Sequence, residues 1–100
     1  MGTTAEAANA RAAVIAFQRQ QLSLLLGHVE SAIRRHRAGQ LDALGVDAVI
    51  ARYSDASREL ARFCSVPDDP DDAQQAVARI DRMQREGRVP DWWELAGQGR

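Results

Sequence analysis

A chain of 100 residues with 45% apolar side chains is long enough for one domain and too apolar for a disordered one. Its net charge of −1 gives no general attraction to nucleic acid or anionic lipid. Only 5% of it is aromatic, so the core must be Leu, Ile, Val and Ala packed between helices. All 13 strongly basic residues are arginine, which together with abundant Ala, Asp and Gly looks like GC-rich coding rather than selection for a basic surface. Cys64 stands alone, so an intrachain disulfide is excluded and no oxidising compartment is implied. The first residues do not form a charged n-region before an apolar h-region, and no apolar run approaches the ~18 residues of a membrane span. The expected location is the cytoplasm.

The first element dominates. From Ala5 to Ala38 there is no proline and one internal glycine, Gly27, and Ala, Leu, Gln, Glu and Arg prevail. Thr3-Thr4-Ala5-Glu6 offers a capping-box start and Gly39 the stop, so helix 1 is expected over about 5–38. It would be roughly 50 Å long, against a radius of gyration of about 13 Å for a compact domain of this size. Val14, Ile15, Leu22, Leu25, Leu26, Val29, Ala32 and Ile33 project to one face and are expected inside. Phe17 and Leu24 fall on a flank, with Gln21 and His28 beside them, and widen the apolar sector beyond what one neighbour needs. This seam is expected to meet a second copy or a partner's helix.

Gly39 to Gly45 reads as a connection, with Leu41 and Leu44 tucked under the helix ends and Asp42 available as a cap. Helix 2 is expected over about 46–64, burying Val46, Val49, Ile50, Tyr53, Ser57, Leu60, Ala61 and Cys64 and exposing Arg52, Asp55, Arg58, Glu59 and Arg62. Pro67 breaks the chain after Val66. Asp69 as N-cap and Pro70 at the first helical position open helix 3, expected over 70–86 with Ala73, Ala76, Val77, Ile80 and Met83 inward. Gly87 ends it, Pro90 prevents resumption, and Asp91-Trp92-Trp93-Glu94 opens a short turn over 91–96. Adjacent tryptophans point about 100° apart, so one of Trp92 and Trp93 should pack and the other stay accessible as an anchor for a partner. Leu25, Val29, Ile50, Leu60, Val77 and Ile80 are expected to be buried together. The fold is therefore all-α: a three-helix bundle or hairpin-like array, one domain over 1–100, with a long first helix and a short C-terminal cap.

No motif commits the chain to chemistry. Asp68, Asp69, Asp71 and Asp72 lack the spacing and glycine of a calcium loop, and helix capping explains them. His28 and His36 are eight apart, not the four that two ligands on one helix need, so no metal or cofactor is expected. Arg34, Arg35 and Arg37 could contact phosphate, but they point in different directions and complement the helix dipole. Cys64 reads as an inert buried thiol. The outline superficially resembles that of the all-helical chorismate mutases, whose sites commonly include lysine; their first-helix motif is absent here. The length is similar to that of the WXG100 hairpins, but no Trp-x-Gly lies between the helices. The expected function is a non-enzymatic protein–protein interaction module, self-associating through helix 1. A nucleic-acid-associated regulator and a small enzyme with a site between subunits are the alternatives.

Overall fold

The structure is a computed structural model and describes residues 4–65 and 70–98. The cap at Thr3, the break at Val66-Pro67 and the acidic residues Asp68 and Asp69 lie outside the described residues. Four helices follow in order: α1 (Thr4–Arg37), α2 (Ala43–Cys64), α3 (Pro70–Glu86) and α4 (Trp92–Gln98). The chain is all-α and elongated, 57 × 22 × 22 Å, with a radius of gyration of 16.5 Å. The length of α1 sets that shape, because it outruns every helix packed on it.

Glycine and aspartate punctuate the helices. Gly39 sits at φ 75 and Gly87 at φ 67, the left-handed conformation that a residue with a Cβ avoids. Gln40 N–H donates to Arg35 O at 2.8 Å and Gly39 N–H to His36 O, the paired bonds of a Schellman stop. Arg88 N–H to Met83 O and Gly87 N–H to Gln84 O repeat the arrangement at the end of α3. Helix α2 begins three residues earlier than its pattern predicts, at Ala43 rather than Val46. Asp42 is the reason: its Oδ1 accepts from Gly45 N–H at 2.8 Å and draws Gly45 into the first turn.

The turn at residues 38–42 folds α2 back along α1, and Phe17 of α1 meets Phe63 near the far end of α2. Helix α3 runs back beside the N-terminal half of α1, and α4 packs on α2. The core comprises Val14, Phe17 and Leu25 of α1, Ala56, Leu60 and Cys64 of α2, Ile80 of α3, and Trp92 and Ala96 of α4. Phe63 ties these helices together. Its ring tilts against Phe17 at 6.1 Å and Trp92 at 5.2 Å, and the Arg79 guanidinium lies over it at 4.8 Å. Leu25, Leu60 and Ile80 lie inside as the pattern predicts, and Val29 and Val77 are half-buried.

Three expectations are corrected. Phe17, placed on a flank by projection, is 4% exposed, and the adjoining Gln21 is also buried. The buried stripe of α1 runs through Ala10, Val14, Phe17, Gln21 and Leu25, so the helix is turned by about a quarter of a circle from its most apolar direction. Ile15, Leu26 and Ile33, expected inside, are left open for the same reason. On α2 the buried sector centres on Ala56 and Leu60, with Phe63 and Arg52 drawn in and Ile50 and Ala61 left exposed. The cause in both helices is that α3 and α4 lie on one side of the hairpin and pull its contacts towards them.

Candidate functional site

Two surfaces on α1 are candidates for a functional site. The first is a groove of about 580 Å³ between α1 and the segment that carries α4. Gln21, Leu24, His28, Trp92 and Trp93, five of the six residues expected at an interface, line it. The sixth, Phe17, lies inside the bundle. Leu24 is a rim residue, 65% exposed.

Helix α4 exists because Asp91 caps it, its Oδ1 accepting from Trp93 N–H at 3.1 Å and Glu94 N–H at 3.2 Å. That start points Trp92 into the core and Trp93 along the surface, the asymmetry that adjacent tryptophans require. Trp93 is clamped on both faces. The His28 ring stacks on it at 4.1 Å and 3°, and the Arg52 guanidinium lies over it at 4.5 Å. Arg52 Nε also donates to Trp93 O at 2.9 Å, and Arg52 Nη2 lies 3.7 Å from Glu94 Oε1. Gly97 makes room for this side chain, since a Cβ there would sit 2.5 Å from Arg52 Nη2. Sequence reasoning missed Arg52 because it sits among the charged residues of α2. The signal available was its place one turn before the apolar Ala56.

Within the groove Asp91 caps α4 and His28 stacks on Trp93, and the carboxamides of Gln20, Gln21 and Gln84 complete its polar lining. Trp92 Nε1 is buried without a hydrogen-bond partner. Cys64 is buried, and desolvation raises its thiol pKa above 9.0 despite the opposing Arg79 charge, so it is held as an unreactive thiol. His36 Nδ1–H donates to Leu41 O at 2.9 Å. Among the described residues no three His, Cys, Asp or Glu side chains converge, and no helix is long and apolar enough to cross a membrane. Arg34, Arg35 and Arg37 are exposed but fan out over about 160° of the helix end, so they form no single phosphate-facing stripe.

The second surface is the opposite side of the α1–α2 hairpin, away from α3 and α4. Ile15, Leu26 and Ile33 of α1 and Ile50 of α2 are 47%, 42%, 37% and 46% exposed. With the half-buried Leu22 and Val29, the α1 residues share a sector of only about 60°. A single exposed leucine is ordinary; these four aliphatic side chains, exposed along two adjacent helices, make an apolar patch. No protein-family model, curated protein or solved structure matches this chain.

Proposed function

We propose that this protein is a non-enzymatic helical interaction module that docks another helical protein along the open face of its α1–α2 hairpin. The observation that supports this most directly is the apolar ribbon of Ile15, Leu26, Ile33 and Ile50, which no element of the described chain covers. With the half-buried Leu22 and Val29, the residues Leu22, Leu26, Val29 and Ile33 follow the i, i+4, i+7, i+11 row by which helices pack on helices. Beside the groove His28 and Arg52 stack on Trp93, and we read these contacts as holding α4 in place. No cofactor enters this reading.

A photo-crosslinking residue installed at position 26 tests it in extracts of the source cells, with position 85 on α3 as control. Adducts to a protein from position 26, including a second copy of the chain, and none from position 85 are the expected result. Equal labelling from both positions, or none from either, overturns the docking role.

A further inference from the structure

The arrangement of the open face names its occupant: we infer that it is a second copy of the same chain, packed antiparallel about a two-fold axis level with residue 24 of α1. The inference rests on the docking reading above and adds the identity and geometry of the partner.

The first support is symmetry in the spacing. Four of the five apolar residues of the ribbon on α1, Ile15, Leu22, Leu26 and Ile33, are separated by seven, four and seven residues, and the fifth, Val29, lies at the edge of the sector away from Arg19 and Glu30. That series reads the same in both directions and has its midpoint at residue 24. A two-fold interface requires residue i to meet j and j to meet i. An antiparallel pair centred there sets Ile15 on Ile33 of the second copy and Leu22 on Leu26, then repeats both contacts by symmetry. A partner of unrelated sequence would place no such demand on the spacing.

The second support is charge. Arg19 and Glu30 are exposed on one edge of the ribbon, about 20° apart around α1, and neither is paired with an opposite charge among the described residues. Their midpoint, 24.5, coincides with that of the apolar series to within half a residue. The same two-fold operation therefore brings Arg19 of each copy opposite Glu30 of the other. In an antiparallel pair, residues on one edge face residues on that same edge, so the placement is consistent in direction as well as level. On the other edge lies α2, and Ile50 of each copy extends the apolar contact.

The size is adequate for a modest dimer. From Ile15 to Ile33 the ribbon is about 27 Å long, and two helix lanes are about 20 Å wide. The flat area is roughly 500 Å² per copy, or about 1,000 Å² in total, at the lower bound for a specific interface. Association should therefore be concentration-dependent and in the micromolar range.

Light scattering coupled to size exclusion, run across a micromolar series, should show the mass rising from 11.0 kDa towards twice that value. Leu26→Glu should remain monomeric with an unchanged melting temperature, because this side chain is not in the core. Arg19→Glu should weaken the dimer on the order of tenfold, two attractive edge pairs becoming repulsive, and Arg19→Glu combined with Glu30→Arg should restore it. In a Cys64→Ala background, a mixture of Leu22→Cys and Leu26→Cys chains should form the crossed disulfide faster than either forms its own. A constant mass of 11.0 kDa while position 26 still crosslinks to another protein would overturn the second copy and leave the docking role standing. A constant mass with no adduct would overturn both. A dimer that the double charge exchange fails to restore, or that favours like-with-like disulfides, would overturn this geometry.

Discussion

On one face of the α1–α2 hairpin Phe17, Leu25, Leu60 and Phe63 are covered by α3 and α4, while on the other Ile15, Leu26, Ile33 and Ile50 meet water. The difference lies in the kind of apolar residue more than in its amount. All five aromatic side chains belong to the covered side or pack against its core. Short helices can cover a hairpin only where each contributes a large side chain, and α4, seven residues long, does so through Trp92. The open face holds aliphatic residues and no aromatic one, edged by Arg19 and Glu30. That composition tolerates water and, on the docking role proposed above, leaves a surface for a helix to pack on.

Truncation should separate the two faces most sharply. Leu60 is fully buried, and Leu60→Ala should cost about 2–5 kcal/mol in urea unfolding. Ile50→Ala, about 80° round the same helix and 46% exposed, should cost less than about 1 kcal/mol in the dilute monomer. Equal losses would show that the isolated chain buries both faces, and the distinction between them would be lost.

A smaller effect tests how the covering helix is held. Gly97→Ala should push the Arg52 guanidinium off Trp93 and cost about 1 kcal/mol, with Arg52→Met giving a similar loss. The local readout is fluorescence. In a Trp92→Phe background, either substitution should make Trp93 more accessible to acrylamide, whereas Trp92 in a Trp93→Phe background should stay protected. Unchanged quenching of Trp93 would mean that His28 alone holds the ring.

The parts of this architecture that were legible in the sequence are those set by local chemistry. Gly39, Gly87, Asp42 and Asp91 announce helix ends through backbone geometry and capping, which need no knowledge of neighbours. The orientation of α1 and α2 was not legible, because it depends on which side the later helices occupy. Projection gave Ile15, Leu26, Ile33 and Ile50 the inward direction on hydrophobicity alone. Phe17 and Phe63 took it instead, because the Phe17 ring reaches Phe63 and the Phe63 ring reaches Trp92, which spans the gap between helices. The candidate site divides in the same way. Gln21, Leu24, His28, Trp92 and Trp93 were expected at a partner interface; they line one groove, in which His28 and Trp93 stack on each other and Leu24 stays on the rim. Arg52 carried no pattern of its own to mark it.

The smallest expected effect is a pH dependence confined to the covered face. Burial raises the Cys64 thiol above its ordinary value of 9.0, with the Arg79 charge acting against burial, so the folded state holds its proton where the unfolded chain has begun to release it. With the folded pKa above the unfolded one, more protons are bound in the native state through this window, and stability falls as pH rises. The contribution is fully present below pH 9 and is lost progressively from there as pH rises through the folded pKa. Urea midpoints measured on either side of pH 9 should therefore decline in the wild type and decline less in Cys64→Ala. Below that pH the native thiol should react with a disulfide reagent far more slowly than the unfolded one. Rapid labelling of native Cys64 at neutral pH would mean that the C-terminal end of α2 opens readily, and the contrast between a closed and an open face would have to be redrawn.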